Sequence, residues 1–130
     1  MRLLGIDYGN KKIGLGFADS DVGVAVPLDV IANNEGTITF LAKKVVLEQI
    51  DQIVVGVPLA TGGPHGPEQL EKTRAFIREL AGVVSIPVVE EDESFTTAES
   101  IRLQKEEGAQ AEEDALAAML ILQAYLEVHL

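Results

Sequence analysis

Apolar positions at the start of the chain recur with the period of strands. Residues 2–8 (Arg-Leu-Leu-Gly-Ile-Asp-Tyr) read as a strand ending at a Gly9-Asn10 turn. Over residues 12–19, Ile13, Leu15 and Phe17 alternate with glycine and alanine, which predicts a strand with one crowded face. Residues 24–31 form a third candidate, with Pro27 marking an edge or a bulge. Short turns between the three predict an antiparallel meander.

From there the spacing changes. Ile38, Leu41, Ala42, Val45 and Ile50 sit close to helical spacing, and Gln52–Val57 is a continuous β-branched run of the kind buried in parallel sheets. Gly66-Pro67-Glu68 opens a second helix, with Pro67 at its first position and an acid in its first turn. Leu70, Thr73, Ile77 and Leu80 form its inward stripe and leave Lys72, Arg74 and Arg78 outside. Ile86–Val89 is a short strand, and Thr96-Thr97-Ala98-Glu99 fits a capping box opening the next helix. The last helix runs from about Asp114 to Leu126 and is apolar nearly all round, so burial is expected.

The predicted order is βββαβαβαα. A meander followed by alternating units with right-handed crossovers gives an α/β (α+β) fold, a five-stranded mixed sheet flanked by helices. This is the topology of a ribonuclease H-like fold, although other α+β arrangements share the order. With 130 residues and no linker or repeat, residues 1–130 are expected to form a single domain.

Composition narrows the chemistry. No apolar run reaches the ~18 residues of a membrane span, and the start lacks the ordered basic and apolar regions of a signal peptide. No membrane partner and a cytoplasmic location are therefore expected. The absence of cysteine excludes disulfides, a thiol nucleophile and a thiolate zinc site. The net charge of −11 is uneven: residues 90–114 hold ten acids against Arg102 and Lys105. A plain nucleic-acid binder shows the opposite balance. Such crowding is either a solvated surface or a cation site.

Three places can decide between them. Asp7 ends an otherwise apolar strand, where a charge is costly unless hydrogen-bonded, paired or metal-bound; the same carboxylate could instead cap the Tyr8–Lys11 turn. Asp92-Glu93 follows the Ile86–Val89 strand, and strand carboxyl ends are where open α/β sheets bind ligands, yet a solvated loop fits too. Asp114 heads the stripe Ala117, Ala118, Ile121, Leu122 and Tyr125, whose alanines allow close approach to the sheet, while an N-cap role is the simpler alternative. Converging, the three would form the oxygen cluster that Mg²⁺ or Mn²⁺ requires, and such ions activate water for phosphodiester hydrolysis. Lys11, Lys12, Lys72, Arg74 and Arg78 could then contact phosphates.

Asp7-Tyr8-Gly9-Asn10-Lys11-Lys12-Ile13-Gly14-Leu15-Gly16 resembles the opening D-x-G-x-K-[KR]-I-G-[VL]-[AG] motif of the YqgF family. These are Holliday junction resolvase-like proteins, also described as pre-16S rRNA nucleases. Ile53–Leu59 resembles that family's I-V-V-G-L-P-L strand, Asp92–Thr97 its D-E-R-[LF]-[ST]-T motif, and Asp114–Leu126 its terminal helix. The resemblance covers nearly the whole chain. It implies a ribonuclease H-like fold and a metal-dependent nuclease in which Asp7, Glu93 and Asp114 are the catalytic, metal-binding acids, with Asp92 a helper. It also implies a mobile substrate loop at Gly62 and Gly63, and a role in ribosomal RNA maturation.

The chain departs from the family pattern in three places. Ser94 stands where the family has arginine, Ala60-Thr61-Gly62-Gly63 replaces N-x-D-G, and Gln110-Ala111-Glu112-Glu113 replaces a basic stretch. All three weaken nucleic-acid contact while sparing the acids. The expected function is hydrolysis of structured RNA or branched DNA, by a monomer or a homodimer. The alternative is a catalytically weak binding module acting in ribosome biogenesis through partners. A third reading, nucleotide hydrolysis, shares the D-x-G turn with actin- and Hsp70-like ATPases, but those need two such domains and 130 residues supply one.

Overall fold

The computed structural model describes residues 1–59, 66–93 and 113–129. Strands β1 (Arg2–Tyr8), β2 (Lys12–Asp19), β3 (Val24–Ala32), β4 (Gln52–Val57) and β5 (Val88–Asp92) form one sheet in the order β3-β2-β1-β4-β5. β1, β2 and β3 are the antiparallel meander; β4 lies parallel to β1, and β5 parallel to β4. The described helices are α1 (Thr37–Leu47), α2 (Gly66–Ala81) and α3 (Glu113–His129). The helix expected after Thr96-Thr97 lies outside the described residues. Among the described residues, no helix is long and apolar enough to cross a membrane.

Strand alternation divides the interior into two layers. Leu4 and Ile6 of β1, Ile13 and Leu15 of β2, and Ile53 and Val55 of β4 pack with Leu41 and Val45 of α1 and Phe76 and Leu80 of α2. On the other face Leu3, Ala18, Ala25 and Val54 meet Ile121, Leu122 and Leu126 of α3. The residues of β1 at positions 3, 5 and 7 therefore face α3.

On that face Gly5, Gly14 and Gly16 carry no side chain, and there α3 comes down close to the strands. A Cβ at Gly14 would fall 1.9 Å from the Asp114 carbonyl oxygen, one at Gly16 2.9 Å from Met119 N, and one at Gly5 2.5 Å from Leu122 Cγ. Glycine in a strand interior costs about 0.5–1 kcal/mol relative to alanine, so the close approach is obtained at some expense in stability. Within α3, Ala117 and Ala118 are buried as the stripe predicted.

Two boundaries differ from the expectation. β5 is Val88–Asp92 rather than Ile86–Val89, because parallel pairing with β4 continues as far as Val57↔Asp92. An edge strand tolerates this, since one side of its acidic stretch stays in solvent. α3 extends past Leu126 to His129. Pro27 does lie on the edge strand β3, where the register with β2 slips between Leu15 and Gly16.

Candidate functional site

Asp7 sits near the carboxyl end of β1, on the α3 face, paired across the ladder with Gly14. Because Gly14 has no side chain, the first turn of α3 comes down beside Asp7 and brings Asp114 with it. On the other flank, the Glu93 N–H donates to the Val57 carbonyl at 2.9 Å and carries the β5 register one residue beyond the strand. Gly56 opens the space below: a Cβ there would lie 2.9 Å from Glu93 Oε2 and 2.3 Å from Ile121 Cδ1. The Glu93 side chain thereby reaches the Asp7 carboxyl, and the two share a hydrogen bond.

Electrostatics follows from this packing. Asp7 is pushed well above the usual carboxylate range, first by burial, then by the charge of Glu93, by its hydrogen bond to Glu93, and by Asp114 and Glu113. Glu93 is also raised, by burial and by Asp92, while the hydrogen bond from Asp7 acts in the opposite direction. Burial raises both groups, and the hydrogen bond joins them. Two carboxyl groups in one poorly solvated site hold a proton between them because both cannot ionise cheaply.

The same features fit a hard divalent cation in kind. The donors are carboxylate oxygens from separate elements, and the pair is under pressure to be neutralised by positive charge. Among the described residues, however, no three carboxylate or imidazole groups stand at metal-holding distances from one another. Asp7 and Glu93 are joined by a hydrogen bond between their carboxyl groups.

The structure also decides between the simpler alternatives. The turn after β1 is held by Asn33, whose Nδ2 donates to the Gly9 carbonyl at 2.8 Å, and the Asp7 carboxyl is directed at Glu93 instead. Asp114 lies within the first turn of α3, which begins at Glu113, and so is not its N-cap.

The five candidate cations share no single environment. Lys11 and Lys12 are exposed at the β1–β2 turn, and Lys72, Arg74 and Arg78 are exposed on α2. Arg74 is committed within the fold: its Nε and Nη2 donate to the two carboxylate oxygens of Glu90 at 2.9 and 3.0 Å. Gly62, Gly63 and Ser94 lie outside the described residues. Sequence reasoning missed Gly14 and Gly56 as the seats of Asp114 and Glu93. The signal was present in Gly56, the lone glycine in a β-branched run, and in the glycines alternating along β2.

Comparison with known proteins points the same way. A family model described as RuvX, Holliday junction resolvase, matches residues 1–128. Proteins named "Putative pre-16S rRNA nuclease" from Syntrophus aciditrophicus and Pelotomaculum thermopropionicum are 35% and 37% identical. Each alignment spans 98% of this chain, and 89% and 87% of the respective relative. Among solved structures, Thermus thermophilus RuvC in complex with a Holliday junction substrate superposes with a TM-score of 0.62 at 17% identity, over 99% of this chain and 96% of that one. The fowlpox virus resolvase with its Holliday junction DNA gives 0.61 at 12%, over 98% and 97%. At such identities the likeness is one of fold, the ribonuclease H-like arrangement expected from the element order. The chain belongs to the RuvX family of Holliday junction resolvases, the YqgF group that its motifs resemble.

Proposed function

We propose that this protein is a divalent-metal-dependent nuclease that hydrolyses phosphodiester bonds in precursor 16S rRNA or in a four-way DNA junction. What supports this reading is the hydrogen-bonded Asp7–Glu93 carboxyl pair at the carboxyl edge of β1, with Asp114 on the first turn of α3 near enough for its charge to act on Asp7. Asp7, Glu93 and Asp114 would hold Mg²⁺ or Mn²⁺. When bound, the ion supplies Lewis-acid activation of water and charge stabilisation on the scissile phosphate.

The chain's own residues do the positioning. Asp7 is fixed by the central strand and Asp114 by a helix seated on bare backbone, so neither carboxylate sits on a loop free to drift. Glu93 is held through its own N–H to Val57. Loss of the shared proton to solvent would leave Asp7 and Glu93 ionised, the form in which carboxylate oxygens hold a hard cation. Exposed Lys11 and Lys12, four and five residues along the chain from Asp7, would contact the phosphate backbone of the substrate.

The test is cleavage of end-labelled precursor rRNA and a four-way junction with Mn²⁺ or with EDTA, comparing wild type with Asp7→Asn. Metal-dependent cutting that the variant loses supports the assignment, and the preferred substrate identifies the physiological class. A folded wild type that binds nucleic acid and metal but cuts neither substrate overturns it in favour of a binding module.

A further inference from the structure

Asp7 and Tyr8 are consecutive in β1, so their side chains leave opposite faces of the sheet from Cα atoms about 3.8 Å apart. Behind Tyr8, on the α1/α2 side, lies a cleft of about 280 Å³. This is just below the ~300–1,000 Å³ range of small-ligand sites. Its wall is aromatic: Tyr8 packs on the buried Phe76 with ring centroids 4.6 Å apart, yet remains only partly buried and lines the opening.

Its polar groups are preset. Asn33 Nδ2 donates to the Gly9 carbonyl at 2.8 Å, which fixes that amide and leaves its Oδ1 as the acceptor. Asn34 Oδ1 accepts from the Gly36 N–H at 2.9 Å, which leaves its Nδ2 group as the donor. One acceptor and one donor beside an aromatic ring match the hydrogen-bonding edge of a nucleobase. Glu35 and Glu79 on the rim disfavour a phosphate in this cleft, whereas a neutral base meets no such penalty, and Lys72 faces the same opening.

We infer that this cleft accepts one unstacked base of the substrate strand, from a nucleotide next to the phosphate at Asp7. The inference rests on the nuclease reading and refines it: the preferred substrate carries an unpaired nucleotide beside the cleaved bond. Tyr8 is then a specificity residue, and Asn34 reads the edge of the base.

The experiment walks a single abasic residue through the cleaved region of a labelled precursor RNA and measures both cleavage and, with Ca²⁺ replacing Mn²⁺, binding by fluorescence anisotropy. Wild type should lose on the order of 10-fold in affinity at one position only. Two variants keep the local fold: Tyr8→Leu retains apolar volume on Phe76, and Asn34→Asp retains the Oδ1 acceptor for Gly36. Each should weaken binding of the intact RNA by a similar factor and lose no more on the abasic one. Uniform tolerance of the abasic residue, or variant and abasic losses that multiply, overturns the inference while leaving cleavage intact. Position-specific binding without cleavage supports the cleft and removes the nuclease reading. A wild type that neither binds nor cleaves overturns both.

Discussion

Gly14→Ala asks the most of the backbone that builds this site. The new Cβ would stand 1.9 Å from the Asp114 carbonyl oxygen and 2.2 Å from its carbonyl carbon, where ordinary contact begins near 3.4 Å. Both are backbone atoms, so no rotamer change relieves the clash, and the start of α3 must retreat by about 1.5 Å. Overpacking of this kind costs typically ~1–3 kcal/mol, and roughly 4 °C of melting temperature follows each kcal/mol in a chain of this size. The larger effect falls on activity. Asp114 moves with its backbone while Asp7 stays in the ladder, and misplacement by ~1 Å can reduce turnover about 10²-fold. Circular dichroism melts and initial cleavage rates with Mn²⁺ give the two readouts. Gly23→Ala is the control: Gly23 has φ +81° and nothing within 4 Å of a new Cβ. Strain there lowers stability by about 1 kcal/mol and leaves the cleavage rate alone. A Gly14→Ala protein with wild-type rate and melting temperature would refute the claim that the helix seat sets the carboxylate geometry.

Three further outcomes are expected. Asp7→Asn raises the melting temperature of the metal-free protein at neutral pH. The folded state binds more protons at Asp7 than the unfolded chain does, so Asp7 opposes folding increasingly as pH rises through its raised range. The variant's advantage should shrink as pH falls toward the ordinary carboxylate range, and a constant advantage in melts from pH 4.5 to 8 would contradict this sign. Arg74→Ala leaves nucleic-acid affinity and its salt slope unchanged, because the guanidinium is held by Glu90, whereas Lys11→Ala lowers the slope by about 1 in a salt titration. Ile121→Ala, which empties a fully buried position against Gly56, destabilises by ~2–5 kcal/mol in a denaturant melt.

The strands were legible in sequence because β2 alternates, β1 is apolar up to Asp7 and β4 is a continuous β-branched run, and glycine spacing marked the crowded and empty faces of β2. The carboxyl end of β5 was not legible. Glu90, Glu91 and Asp92 look like loop residues, and only the ladder with Val55, Gly56 and Val57 makes them strand. Asp7, Glu93 and Asp114 could be nominated from position, but the reach of Glu93 to Asp7 and the seating of the Asp114 backbone beside β2 depend on Gly56 and Gly14, which carry no chemistry of their own. Arg74 shows the converse. Its exposure was predicted correctly, yet an i-to-j pairing across two elements with Glu90 has no periodic signature, so the guanidinium looked available for phosphate when the fold had already used it.

A site that works on a polyanion here is built from acids, which sets a condition on binding order. Asp7 and Glu93 already resist ionisation, with Asp92, Glu113 and Asp114 adding to the local negative field. A phosphate brought to this edge meets repulsion unless positive charge arrives with it. Under the nuclease reading, divalent cation and nucleic acid must therefore strengthen each other's binding, and linkage requires the same factor in both directions. Isothermal titration of Ca²⁺ with and without a non-cleaved RNA, set beside RNA anisotropy with and without Ca²⁺, measures the two factors separately. Asp7→Asn removes one carboxylate and should reduce both equally. Coupling that survives in Asp7→Asn would locate the cation elsewhere on the RNA, and would remove the carboxylate cluster from the binding step.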